Sequence, residues 1–240
     1  MMDGERLAVY LHSLEREEDG LLQDIAKEAA ASFVPIIRKE TGSLLKTLIA
    51  LKQPRRILEI GTATGYSALL MSSVMPEGCV ITTMEKYEKR IPVARENFRR
   101  AGKEDVITLL AGDAAEGLKT LTPPFDFVFM DAAKGQYLTF LPEVLRLLPV
   151  GGVLVSDNVL QGGDILESRF AVERRNRTIH ARVREYLYRL KHMDCLQTAV
   201  VPVGDGVSIS VKLDGKMAGG QGRAAGKTAE GRGAEGRESL

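Results

Sequence analysis

The chain has 240 residues, 44% hydrophobic and 27% charged, with a net charge of +1 and two cysteines. That composition fits a soluble globular protein of one large domain or two small ones. No apolar run nears the roughly 18 residues a membrane-spanning helix needs. The N-terminal stretch lacks a signal peptide's basic-then-apolar order, and Cys79 and Cys195 are too far apart to suggest a disulfide framework. The expected setting is the reducing cytoplasm, with no membrane partner.

In chain order, "LLQDIAKEAAASF" and "TGSLLKTLIALKQ" predict two helices, the second capped by Thr41. "RILEI" predicts a first strand, followed by a helix from near Gly65 carrying "YSALLMSSV". "CVITTME" is the second strand, and "KRIPVARENFRRAG" a helix closed by Gly102. "VITLLAGD" and "FDFVFMD" are the third and fourth strands. "TFLPEVLRLLPVGG" is a helix stopped by Pro149, and "GVLVSDN" the fifth strand. Near-continuous apolar strands separated by helices predict a parallel sheet covered on both faces.

Beyond Gly162 the pattern predicts one long helix through "RFAVERRNRTIHARVREYLYRLKH", with Ile179, Val183, Leu187 and Leu190 on one face. "LQTAVVPV" and "GVSISVKL", joined by "GDG", predict a closing hairpin. From about Leu213 the chain turns to Gly, Ala and charge and cannot bury enough apolar surface to order itself. The expected organisation is one domain over residues 1–213 and a disordered tail over 214–240.

In open parallel sheets, ligands bind beyond the carboxyl ends of the strands. Here those ends carry Glu59, Glu85, Asp113, Asp131 and Asp157, an acidic rim too regular for chance. The loop "EIGTATGYS" spaces Gly61 and Gly65 four apart, so it lacks the G-x-G-x-x-G nest for a pyrophosphate. Glu85 can bind the hydroxyls of a ribose, Asp113 can flank an adenine, and Glu59 can meet an amino group directly or through water. An adenosine without phosphates points to S-adenosylmethionine.

Asp131 ends the fourth strand, and Asp157 and Asn158 end the fifth. Two carboxylates and an amide oxygen on neighbouring tips form a hard-oxygen set suited to Mg2+, with Mn2+ not distinguished. Lys134 can reach the same spot and accept a proton from a hydroxyl held there. A hydrolase is disfavoured: His12, His180 and His192 lie away from the rim, and "GYSAL" lacks a nucleophile elbow around Ser67.

The ordered set "EIGTATGYSA", Glu85, "GDA", "MDAAKGQY", "SDN" and "PVGDG", spanning about Thr41 to Leu213, resembles the cation-dependent class I O-methyltransferases. That family includes the catechol and caffeoyl-CoA enzymes. The resemblance implies a Rossmann-like α/β fold with a seven-stranded, mostly parallel sheet, an antiparallel last strand and helices on both faces. It implies Asp131, Asp157 and Asn158 as metal ligands and Lys134 as the catalytic base. It implies Ile37, Glu59, Gly61, Ser67, Glu85, Asp113 and Asp131 as cofactor contacts, and a homodimer by analogy. The chain departs from the family in Ala132 and Ala133 after the aspartate and in having no tryptophan.

Residues 169–191 hold seven Arg and one Lys against two Glu, a local +6 on an otherwise mildly acidic chain. Arginines pair with phosphate, and 5-hydroxyuracil offers a chelating hydroxyl beside its 4-oxo group. The chain resembles the bacterial branch that methylates 5-hydroxyuridine at the tRNA wobble position. The expected partner is therefore the tRNA anticodon loop, met by Arg169, Arg174, Arg175 and Arg177. The alternatives are a small catechol-type acceptor and a non-catalytic RNA-binding protein.

Overall fold

The computed structural model describes residues 4–16, 20–168 and 170–214. Arg169 and the expected tail from residue 215 onward lie outside them. Seven strands form one sheet: β1 (Arg56–Ile60), β2 (Val80–Glu85), β3 (Ile107–Ala111), β4 (Phe127–Met130), β5 (Val153–Ser156), β6 (Leu196–Val201) and β7 (Val207–Lys212), in the order β3-β2-β1-β4-β5-β7-β6. The first five pair in parallel, while β7 inserts antiparallel between β5 and β6.

The pleat sorts the strands' side chains between two cores. Ile57, Phe127, Phe129, Val153 and Val155 face one core, and Leu58, Ile60, Val128, Met130 and Leu154 the other. The helices α2 (Gly20–Ala31), α3 (Lys39–Lys52), α4 (Tyr66–Ser72) and α5 (Ile91–Arg100) cover the first face. The helices α6 (Ala114–Thr120), α7 (Tyr137–Leu147) and α8 (Arg177–His192) cover the second. A further helix, α1 (Gly4–Leu14), packs on α3 and is tied to it by His12 Nε2 to Glu40, 2.8 Å.

Three sequence expectations need correction. Thr41 does not cap α3: the helix begins two residues earlier, with Arg38 at the cap, and Thr41 lies buried inside the first turn. The long helix after Gly162 does not form as one piece. Gly162 and Gly163 adopt positive φ, +63° and +106°, and two short 3-10 segments precede α8. Ile179 sits exposed, and the buried face of α8 is His180, Val183, Tyr186 and Leu190, with Leu187 packing beside it. His180 and Tyr186 were missed because their polar atoms hide their packing role; His180 Nε2 meets the Glu167 carbonyl at 3.2 Å, and the Tyr186 hydroxyl meets Ser156 Oγ at 2.6 Å. Finally, α1 and α6 were not anticipated from the sequence.

Candidate active site

The chain runs outward from β1 to β3 and returns to β4 beside β1, so the strand order switches at the β1–β4 gap. Ligand crevices open at such points. A cavity of about 910 Å³ opens there, lined by residues that include Ile37, Arg38, Gly61, Ser67, Glu85, Asp113, Asp131, Lys134, Asp157, Asn158 and Asp205. That volume is near the upper end of the roughly 300–1,000 Å³ typical of ligand pockets.

The gap is narrow because of Gly61. Its φ is +106°, and a Cβ placed there would overlap the Asp131 carbonyl oxygen and come within 2.8 Å of the carbonyl carbon. The loop after β1 is pinned by Gly61 N and Thr62 N donating to the Met84 carbonyl at 3.0 and 3.1 Å. Asn97 on α5 donates to the Thr64 carbonyl at 2.9 Å.

Glu85 is buried at the end of β2. Its carboxylate accepts from Ala63 N at 2.8 Å and from Tyr87 N at 2.7 Å. These amides fix its direction and leave lone pairs for ribose hydroxyls. Asp113 caps α6 by accepting from Ala115 N at 2.9 Å and pairs with Lys86 Nζ at 2.6 Å. The hydrogen bond from Lys86 is the main cause holding its carboxyl below the usual range.

Glu59 is placed differently from the other rim acids. It lies one residue before the end of β1, fully buried, and accepts from Ser67 Oγ and Thr83 Oγ1, each at 2.5 Å. It does not line the cavity, whereas Ser67 does. Glu59 accepts the hydrogen bond from the Ser67 hydroxyl, which leaves lone pairs on that oxygen free to accept from a ligand in the cavity. Burial pushes its carboxyl up to about 8, against the pull of the two hydroxyls.

At the other end of the cavity, β4 and β5 pair with Met130 opposite Ser156, which sets Asp131 beside Asp157. Neighbouring strands run about 4.8 Å apart. Asp157 N donates to the Met130 carbonyl at 3.0 Å, closing the tips together. Burial raises both carboxyls, and the neighbouring Asp131 charge adds to the rise at Asp157, which reaches about 7. Lys134, in the 3-10 turn after β4, pulls both the other way. Asp157 Oδ1 is buried with no hydrogen-bond donor. Two crowded carboxylates, one with an orphaned oxygen, and Asn158 at φ +55° beside them fit a divalent cation with oxygen ligands.

Arg38 and Asp205 form a fork across the same end, with Nε to Oδ2 and a terminal nitrogen to Oδ1, both 2.9 Å. Neither was singled out from the sequence; the "PVGDG" turn was the available signal.

The basic stripe divides. Arg177 donates to the Val172 and Phe170 carbonyls, each at 3.2 Å; Arg184 donates to Ile165 at 3.0 Å and Arg182 to Gly135 at 2.9 Å. Arg175 pairs with Glu173 at 2.7 Å and Arg189 with Glu185 at 2.6 Å. Arg174 and Arg175 are exposed on the segment before α8.

Comparison with known proteins gives the family. A catechol O-methyltransferase of Mycobacterium tuberculosis is 38% identical over 157 residues, covering 64% of this chain and 71% of that protein. Caffeoyl-CoA O-methyltransferase 1 of Eucalyptus globulus is 30% identical over 223 residues, covering 86% and 89%. The crystal structure of the O-methyltransferase TomG from Streptomyces achromogenes, in complex with SAM, superposes with a TM-score of 0.78 at 28% identity, covering 89% of this chain and all of that one. A family model described as O-methyltransferase matches residues 12–213, and the chain belongs to that family.

Proposed function

We propose that the protein transfers a methyl group from S-adenosylmethionine to a hydroxyl that has a second oxygen on the adjacent carbon, in a reaction that requires Mg2+ or Mn2+. The observation that carries this reading is the register of β4 and β5, which sets Asp131 beside Asp157 with Lys134 close to both. A catechol is the simplest acceptor of this class. The catechol O-methyltransferase of M. tuberculosis supports the choice by its 38% identity.

The chain's own groups divide the work. Glu85, aimed by two backbone amides, takes the ribose hydroxyls. Ser67, its proton held by Glu59, accepts from the donor's ammonium. Gly61 lets β1 close against the Asp131 backbone at the β1–β4 gap, beside which the donor lies. Asp131, Asp157 and Asn158 would hold the cation, which when bound supplies a Lewis acid and orients the acceptor. Lys134 takes the acceptor's hydroxyl proton as the oxygen forms its bond to the methyl carbon and the carbon–sulfur bond breaks. Holding the two substrates in line removes much of the entropic barrier.

A second reading keeps the chemistry and moves the acceptor into tRNA, at a 5-hydroxyuridine in the anticodon loop. Arg174 and Arg175, exposed ahead of α8, support it. The use of Arg177, Arg182 and Arg184 as donors to backbone carbonyls weighs against it, since those guanidiniums already hold the fold.

One experiment compares the two. Labelled S-adenosylmethionine is offered with a catechol, and separately with tRNA from cells lacking 5-methoxyuridine, with and without EDTA. The expected result is a labelled catechol and no label with EDTA. Labelled tRNA with an untouched catechol transfers the assignment to the second reading. If tRNA is labelled, raising the salt should weaken the transfer steeply. Label in neither, or label that survives EDTA, refutes the proposal.

A further inference from the structure

Tyr137 is the first residue of α7 and is fully buried. Its hydroxyl lies 3.1 Å from the Met130 carbonyl and 3.1 Å from the Asp157 carbonyl. The first carbonyl belongs to the residue just before Asp131; the second belongs to Asp157 itself. One phenol therefore spans the two strand tips that carry the ligand set. Two carbonyls cannot bond each other, so a donor must come from elsewhere. Met130 already accepts from Asp157 N, whereas the Asp157 carbonyl accepts from the phenol.

The surroundings leave this hydroxyl little freedom. The Tyr186 ring stands edge-on to Tyr137, with centroids 5.3 Å apart at 68°. The Tyr186 hydroxyl is itself engaged with Ser156, the residue before Asp157. Asn158, the next residue, turns the chain away with φ +55°. The peptide between Asp157 and Asn158 is thus set by the Tyr137 bond on one side and by that turn on the other.

We infer that Tyr137 is a positioning residue: its hydroxyl fixes the Asp157–Asn158 peptide and so aims Asp131, Asp157 and Asn158 at a common cation. This inference rests on the divalent-cation reading above. Removing the hydroxyl leaves the buried Asp157 carbonyl without its donor. The peptide then rotates to find another partner, and the ligand oxygens on both sides of it move. Partners behind metal ligands typically change affinity by about 10- to 100-fold. The donor pocket at β1 and β2 is built from other bonds and should not respond.

The test is direct Mn2+ binding, followed by the loss of the free-ion signal in electron paramagnetic resonance. It compares the wild-type protein with Tyr137→Phe and Ser156→Ala. Tyr137→Phe keeps the ring and removes the bridge; Ser156→Ala removes a neighbouring buried hydroxyl and leaves the bridge. The expected result is Mn2+ affinity weakened about tenfold or more in Tyr137→Phe, with Ser156→Ala close to wild type. Affinity for S-adenosylmethionine without added metal should be unchanged in both. Equal Mn2+ affinity in Tyr137→Phe and wild type overturns the inference, as does an equal loss in both variants. Wild-type protein that binds no Mn2+ refutes the cation reading itself.

Discussion

Gly61→Ala offers a sharp test of how the β1–β4 gap is built. Two penalties combine at this position. An alanine at φ +106° is held in a region that L residues rarely adopt, which costs about 1–3 kcal/mol. The new methyl also overlaps the Asp131 carbonyl oxygen and lies 3.3 Å from Ala132 Cα. Those atoms are backbone, so no rotamer change relieves the clash, and overpacking of this kind costs about 1–3 kcal/mol more. The total of about 2–6 kcal/mol is a large part of a domain's usual 5–15 kcal/mol. Any relaxation must push Asp131 away from β1, so affinity for Mn2+ should fall along with stability. Gly78→Ala is the control, because Gly78 also has positive φ, +78°, but nothing lies within 4 Å of its Cβ position. Urea unfolding of both variants separates the backbone penalty from the clash. A Gly61→Ala protein with the midpoint of Gly78→Ala and wild-type Mn2+ affinity would refute the reasoning.

Two further outcomes are expected. Glu59 holds its proton in the folded protein up to about pH 8, while its ordinary value is 4.5. Between those values the folded state binds a proton that the unfolded chain has released. Its contribution to stability is therefore fully present below about pH 4.5 and is lost as pH rises toward 8. Urea midpoints should show a smaller decline across that window in Glu59→Gln; identical slopes would contradict the buried, protonated acid. Arg182 donates to the Gly135 carbonyl and braces the turn that carries Lys134. Arg182→Ala should lower turnover about tenfold by misplacing the base, with donor affinity unchanged and partial recovery in Arg182→Lys. Unchanged turnover would mean that the turn holds itself.

The sheet was legible because the parallel strands are short, near-continuous runs of apolar or β-branched residues that end in turns. "FDFVFMD" and "GVLVSDN" gave the fourth and fifth strands within a residue or two of Phe127–Met130 and Val153–Ser156. Register between strands is not written in any single run. The adjacency of Asp131 and Asp157 could be inferred from the strand ends, but the bond from Asp157 N to Met130 that fixes it could not. The segment from Gly162 to Asn176 misled for a specific reason. Its charged stretch from Phe170 matches a helical period, yet it folds as a turn and the 3-10 segment Arg174–Asn176 before α8 starts at Arg177, and side chains from α8 hold the segment's carbonyls. Glu59 shows a related limit. Sequence spacing put it on the rim, but it stands one residue short of the strand end and turns toward Ser67 and Thr83 instead of the cavity.

The reversed direction of β7 decides where the chain can be handled. Gly151 N bonds the Lys212 carbonyl at 2.7 Å, and Lys212 Nζ donates to Leu145 and Leu148 at 2.8 and 2.7 Å, all at the base of the sheet. Six residues of strand span about 20 Å, so Leu213 departs about that far from the ligand-bearing tips. An affinity label or surface tether joined on that side starts well clear of the crevice mouth. The opposite terminus is a poor anchor, because His12 grips Glu40 two residues after Arg38 at the cavity wall. Binding measurements on immobilised protein should therefore be made through the C-terminal side.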